Sequence, residues 1–373
     1  MSKWKYREEG KRINKAVLQE KSLEQLRESK KFIESLLDLR KSEKLNKTYI
    51  TGVKNAVEYN NKKKVFVDYR MDGTATGRLS CASYNAKKSM GVSFHTLPRE
   101  TENNIRSIFV APKDHAFITV DYSAMELRML AHIAKEGNMQ QAFKSGEDLH
   151  TYTATMVFNK EAEKITKLER QIAKSTSFLI VYGGSAFNLA ETMGISRKRA
   201  EKVVENYQRA YPGIFSFMDH VNDFIRENKY AYTIFGRRRN LPDVDSRDRK
   251  VVNRALRQGL NFTIQSSASD ILLCSLLGIR NKFGRLGMKS KVVSTVHDSI
   301  ELISPKEEVK SACEIIYDEM VNYPYAREKF GIDLDVPLAI ETEVGYSFGD
   351  GVEVQYDESK VTNIQDIQDY FVA

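Results

Sequence analysis

Two short apolar runs break a pattern that is otherwise mostly helical. Ala116-Phe-Ile-Thr-Val120 and Val292-Val-Ser-Thr-Val296 are rich in β-branched residues, and each runs into an aspartate, Asp121 in the first and Asp298 of His297-Asp298 in the second. Such runs predict buried strands. Residues 124–230 read as helices: Met125, Met129 and Ile133 mark a core face, and Ser196 is placed to N-cap the segment Arg197-Lys-Arg-Ala-Glu-Lys. Within this stretch Arg170, Lys174, Phe178 and Tyr182 recur every four residues and form one slowly winding stripe, stopped by Gly183-Gly184. Residues 1–45 predict mostly helix, patterned by Leu18, Leu23, Leu26, Ile33, Leu36 and Leu37. Thr48 to Val120 predicts alternating short strands and loops, and Tyr232 to Leu241 a hairpin or loop carrying Arg237, Arg238 and Arg239. A long helix through Arg257 and Gln265, a hairpin around His297-Asp298, a helix from Glu307 to Val321 and a strand at Val336–Glu343 follow, then an acidic, frayed tail after Asp350. Elements of both kinds, with the strands brought together by hairpins, predict an α+β fold.

Charge alters this picture at one end. Residues 1–66 hold 18 Lys and Arg against 9 Asp and Glu, whereas the whole chain of 373 residues nets +8, so the basic character is an N-terminal property. A basic helical arm suits a phosphate backbone, although a solvated charged helix has the same composition. Three widely spaced cysteines, Cys81, Cys274 and Cys313, argue against a disulfide framework or zinc site and fit a reducing cytoplasm. No apolar run of the length of a membrane span is evident, and the first residues, Met1-Ser-Lys-Trp-Lys-Tyr-Arg, lack the apolar centre of a signal peptide.

The chemistry concentrates in three places. Two aspartates at the ends of adjacent strands can share a pair of divalent cations, although a lone Asp at a strand end is more often a cap or turn residue. The stripe of two cations followed by two aromatics can hold a triphosphate and offer a flat apolar surface to a base or sugar. The same spacing also describes an amphipathic helix with Phe178 and Tyr182 in a core and its cations solvated.

The residues around these features resemble the family A DNA polymerases, the group of bacterial DNA polymerase I and phage replicases. Asp121-Tyr-Ser-Ala-Met-Glu-Leu-Arg128 resembles the family's motif A, Arg170 to Gly183 its motif B and His297-Asp298 its motif C. Thr74-Ala-Thr-Gly-Arg78-Leu-Ser80 resembles a template-primer contact, and Arg257-Gln-Gly-Leu-Asn261-Phe-Thr-Ile-Gln265 a palm helix that touches the duplex minor groove. Gly146-Glu-Asp-Leu-His150 and Gly236-Arg-Arg-Arg239 fall in the same order, and the agreement runs from about residue 35 to 348. The resemblance implies a right-hand polymerase: an antiparallel palm sheet, helical fingers and a truncated thumb. It divides the chain into a helical basic arm and thumb remnant at 1–45, palm at 46–135, fingers at 136–245, palm again at 246–350, and a tail at 351–373.

It also implies roles. Asp121, Asp298 and the backbone carbonyl of Tyr122 are the expected ligands of two Mg²⁺ ions, with Lys174 as general acid toward the leaving pyrophosphate. Arg170, Lys174 and His150 are expected on the triphosphate of a dNTP, Phe178 and Tyr182 on its sugar and base, and Glu126 against a ribose 2′-hydroxyl. Thr76, Arg78, Arg257, Asn261, Gln265 and His297 are expected on primer-template DNA.

Two departures stand out. Motif C usually reads His-Asp-Glu, but Ser299 takes the third position here, and Glu301, two residues on and on the same strand face, is expected to substitute in part. Ala124 replaces a usual polar residue of motif A. The short arm ahead of Thr74 leaves no room for a full thumb or a 3′–5′ exonuclease, so a separate chain supplying both is expected, as in a split phage polymerase. The competing expectation is a primer-template-binding subunit that depends on such a partner for activity. Glu126 disfavours a single-subunit RNA polymerase.

Overall fold

The structure, a computed structural model, describes residues 23–60, 63–83, 85, 91–98 and 104–372. It comprises two compact units, one from the described parts of Met1–Tyr69 and Cys81–Phe94, the other from those of Arg70–Ser80 and His95–Ala373.

In the first unit, helix α1 spans Leu23–Lys44. Its i,i+4 ion pairs include Lys30–Glu34 at 3.7 Å, an exposed contact that adds only tenths of a kcal/mol. The helix widens into a π-turn at Leu45–Ile50 and resumes as α2, Thr51–Asn60. Helix therefore persists beyond Thr48, where strands and loops were expected. Gly52 lies inside this helix, where a Cβ would stand 2.5 Å from the carbonyl oxygen of Gly91, whose N–H bonds Gly52 O at 2.9 Å. Close backbone approach requires the glycine. Along α1, Phe32, Ile33, Leu36, Leu37 and Leu39 are exposed, Phe32 by 69%. Residues 1–22, including Leu18 of the predicted arm, lie outside the described residues.

Short strands β1 (Val67–Arg70) and β2 (Ser80–Ser83) precede the longer ones. These are β3 (His115–Tyr122), the hairpin β4 (Tyr230–Tyr232) and β5 (Arg238–Asn240), then β6 (Lys291–Val296), β7 (Ser299–Pro305), β8 (Ile340–Ser347) and β9 (Asp350–Glu353). A five-stranded antiparallel sheet runs β6-β7-β3-β8-β9. Period-2 alternation sets its faces: Ala116, Ile118, Val120 and Tyr122 are buried, while Thr119 and Asp121 on the opposite face are partly open. Strand β8 begins later than Val336. Val336 and Leu338 are buried, but the backbone there serves the turn before the next helix: Ser123 N–H donates to Ala339 O at 2.9 Å, and Arg128 Nη1 donates to Pro337 O.

Helix α3 (Met125–Ile133) follows β3 and buries Met125 and Met129 as expected. The helices α4 (Gly137–Lys144), α5 (Leu149–Phe158), α6 (Lys167–Val181), α7 (Ala186–Met193), α8 (Arg197–Ala210) and α9 (Pro212–Asn228) follow. Ser196 caps α8, its hydroxyl accepting from Arg199 N–H. Helix α10, Arg249–Arg285, is 37 residues long. An 18-residue window within it has mean hydropathy 1.4, enough by length and composition to cross a membrane, contrary to the sequence expectation that no such run exists. Because 83% of that window is buried inside the protein, it is a core helix here. The helix expected at Glu307–Val321 is α11 (Val309–Tyr317) with a π-turn to Asn322, followed by α12 (Pro324–Phe330).

The tail is ordered, not frayed. Strand β9 pairs with β8, and α13 (Ile364–Tyr370) buries Ile367. Tyr346 packs against Tyr370 and Phe371 with ring centroids 5.5 and 4.8 Å apart, aromatic contacts that hold the acidic tail on β8.

Candidate active site

Sheet register brings the two aspartates together. Asp121, at the end of β3, lies opposite Ser299 of β7, and the next residue, Tyr122, donates its N–H to Asp298 O at 3.2 Å. Between β6 and β7 the chain turns tightly with His297 at φ 61°, in the left-handed region. The Tyr122 ring is buried below, its hydroxyl donating to Met320 O at 2.8 Å. Burial pushes the Asp298 carboxyl above the ordinary carboxylate range, with Arg78 pulling against it.

Glu301 does share a face with Ser299, whose hydroxyl donates to Glu301 Oε1 at 2.5 Å. It does not, however, stand in the open as a replacement for a carboxylate at 299. Its relative exposure is 0%, Oε2 has no hydrogen-bond partner, and burial raises its pKa to about 7. Asp298 retains 28% exposure of its side chain. At Ala124, φ is 52° and no side chain caps α3.

A polar network covers the aspartates. Arg78 Nη2 donates to Asp298 Oδ1 at 2.8 Å and Glu126 Oε1 at 3.0 Å. Gln265 Nε2 reaches Glu126 Oε1 at 3.0 Å, and the Tyr182 hydroxyl donates to Glu126 Oε2 at 2.7 Å. The buried Glu126 thus joins four segments: the loop before β2, α3, the end of α6 and α10.

The predicted stripe lies on α6, which Thr166 and Glu169 start with a reciprocal capping box. Arg170 forks onto Asp148, and Lys174 one turn later is partly buried. Neither reading of the stripe is complete alone: Phe178 does pack on the core, while Tyr182 is 44% exposed and faces Glu126. His150 stands beside Phe178 with ring centroids 6.2 Å apart. Burial draws its pKa down to about 4, so it is neutral at pH 7, and its Nδ1 is buried without a partner. Gly183 ends the helix at φ 66°, where a Cβ would meet the Arg257 side chain at 2.6 Å.

The remaining candidates line α10 and its surroundings. Asn261 Oδ1 is buried without a partner, Thr76 O accepts from Ser266, and Arg237 pairs with Asp270 at 2.5 Å. Sequence reasoning overlooked His95. Its ring lies 5.2 Å from that of His297, and its Nε2 is 3.0 Å from Thr295 O, which braces the turn that carries Asp298. No local pattern announces that contact. Asp148 was also left without a role, although Asp-x-x-Thr at 148–151 is a helix-start signal.

Among the described residues no three His, Cys, Asp or Glu side chains form a metal cluster. The donor set nevertheless fits Mg²⁺: Asp121 and Asp298, on paired strand ends, carry hard carboxylate oxygens, and this ion keeps waters and phosphate oxygens at its other positions.

The family model described as DNA polymerase family A matches residues 1–350. The chain is 34% identical over 319 residues to DNA polymerase I of Treponema pallidum, covering 85% of this chain and 30% of that protein. It is 33% identical to DNA polymerase I of Caldicellulosiruptor bescii over 87% of this chain and 37% of that one. The chain thus spans about a third of the length of these relatives. The Pol1 POL domain from M. smegmatis, solved in complex with DNA primer-template and dNTP, superposes with a TM-score of 0.76 at 30% identity, covering 85% of this chain and 53% of that one.

Proposed function

The chain belongs to DNA polymerase family A, and from that premise we propose that it performs template-directed DNA synthesis, joining a primer 3′-hydroxyl to the α-phosphate of a dNTP. The observation that carries the reading is the pairing of the strand ends that bear Asp121 and Asp298, together with the hydrogen bond from Tyr182, at the end of α6, to Glu126 of α3.

Asp121, Asp298 and the Tyr122 carbonyl would hold two Mg²⁺ ions. When bound, such ions activate the attacking hydroxyl and stabilise the leaving oxygen. Arg170, Lys174 and neutral His150 bind the triphosphate, and Lys174 delivers a proton to the departing pyrophosphate. Phe178 and Tyr182 hold the sugar and base. Glu126 occupies the volume a 2′-hydroxyl would need. Arg78, Arg257, Asn261, Gln265, His297 and Thr76 face the primer-template, and Arg78 exchanges Asp298 for DNA as the substrates enter.

The exposed apolar residues of α1, Phe32 to Leu39, support a further part of the proposal. They would be covered by thumb elements, supplied together with a 3′–5′ exonuclease by a separate chain, as in a phage-type split replicase working in a reducing cytoplasm.

Primer extension in Mg²⁺ tests both parts. The wild-type chain is expected to add a few nucleotides at low salt, and Asp121→Ala or Asp298→Ala to abolish addition while leaving duplex binding intact. Extension by either variant within about tenfold of wild type would sink the two-aspartate mechanism. Long products at moderate salt from this chain alone would refute the need for a partner.

A further inference from the structure

Arg170 is the cation of the clamp that another side chain already holds. Its Nε–H donates to Asp148 Oδ2 and its Nη2–H to Oδ1, both at 2.8 Å, a bidentate fork. Asp148 is itself anchored. As N-cap of α5 it accepts from Thr151 N–H at 2.9 Å and from the Thr151 hydroxyl at 2.6 Å. The pair therefore ties the first turn of α6 to the first turn of α5, and both side chains stay partly open, 43% for Arg170 and 45% for Asp148. His150, two residues beyond Asp148, feels Asp148, Lys174 and Arg170 electrostatically, so the four groups form one cluster. A guanidinium has five N–H donors; the fork uses one edge, and the donors of Nη1 and the outer Nη2 remain.

We propose that Asp148 is a positioning residue for nucleotide binding, fixing the Arg170 guanidinium by one edge so that its opposite edge meets the polyphosphate beside Lys174. The proposal rests on the reading of this cluster as the dNTP triphosphate site and adds what orients it. A flexible arginine must be ordered when its anion arrives, whereas one held on a helix cap is already ordered, so the brace strengthens ground-state binding more than the chemical step. The opposite view makes Asp148 a competitor that the phosphate must displace, and it predicts the opposite sign.

Asp148→Asn separates the two. Asparagine keeps the shape and caps a helix equally well, so the fold is retained, while the charge that holds the fork is lost. Single-nucleotide incorporation should show the dNTP KM raised about tenfold with kcat within about twofold. Calorimetric binding of inorganic pyrophosphate should weaken by a similar factor, a readout that needs no catalysis. In an Arg170→Ala background, Asp148→Asn should add less than about twofold to either quantity, because its effect passes through Arg170. A lower KM, an unchanged KM and pyrophosphate affinity, or a full additive loss in the Arg170→Ala background would each overturn the proposal. A wild-type chain that binds pyrophosphate through Arg170 and Asp148 but incorporates no nucleotide would overturn the polymerase reading and leave the brace standing.

Discussion

The palm end and the fingers end of the site are electrostatic opposites. In the palm, carboxylates from β3, the β6–β7 turn and α3 gather in a largely buried setting, and Arg78 lies against two of them, Asp298 and Glu126. At the fingers, His150 at the start of α5 and Arg170 and Lys174 on successive turns of α6 form a cluster, and the carboxylate of Asp148 lies against Arg170. Each end is thus held together by a side chain carrying the charge that its proposed ligand would bring, a cation for the palm and a polyphosphate for the fingers. Burial separates the consequences. In the palm it raises the pKa of Asp298 and Glu301. At the exposed fingers pair, the hydrogen bond from Arg170 instead holds Asp148 well below the ordinary range. The difference teaches that the palm pairing is needed to tolerate buried charge, whereas the fingers pairing chiefly sets orientation.

Glu126 is where the two ends meet, and changing it should have the largest effect. Glu126→Ala removes the group that Tyr182, Arg78 and Gln265 all contact. The use of ribonucleotides relative to deoxynucleotides should rise by roughly two orders of magnitude in single-nucleotide insertion. An unchanged ratio would separate Glu126 from the nucleotide pocket and break the link between the ends.

A stability comparison sharpens the contrast next. Arg78→Met leaves Asp298 and Glu126 without their shared cation and should cost about 2–3 kcal/mol in urea unfolding. Arg170→Met breaks a half-exposed pair and should cost less than about 1 kcal/mol. Equal costs would show that burial does not distinguish the two pairs.

A single palm carboxyl, Glu301, gives a pH test of the same contrast. The Glu301 pKa is raised from 4.5 to about 7 in the folded protein. Its contribution to stability is therefore fully present below the unfolded value and lost as pH rises through the folded one. Glu301→Gln abolishes that titration, so the stability of the variant relative to wild type should increase by on the order of 2 kcal/mol between about pH 5 and pH 8. A difference that stays flat across this range would mean that Glu301 is ionised throughout.

How much of this was readable beforehand follows the distance over which each feature is built. The stripe Arg170, Lys174, Phe178, Tyr182 was legible because helical period alone aligns residues four apart. The strand ends at Asp121 and Asp298 were legible because β-branched runs stop there. Helix α2 was not legible because what favours it, the close approach of Gly52 to Gly91, joins residues far apart in the chain. The start of β8 was misplaced because apolar Val336 and Leu338 resemble strand residues, although the carbonyls of Pro337 and Ala339 beside them accept from Arg128 and Ser123. Composition likewise concealed the apolar character of α10 and overstated the fraying of the tail.

By itself the sequence determined the local chemistry: which residues carry charge, which helix face presents them, and which runs end in carboxylates. These depend on covalent spacing and on the fixed periods of helix and strand. Only the tertiary structure decided which charges meet. Arg78 and Asp298 are 220 residues apart yet 2.8 Å in space, the His95 ring lies 5.2 Å from that of His297, and Glu301 is fully buried beside Ser299 with its pKa raised. Register between strands and packing against α10 set those distances. A pairing energy in a buried site depends on distance and desolvation, neither of which is written in the order of residues.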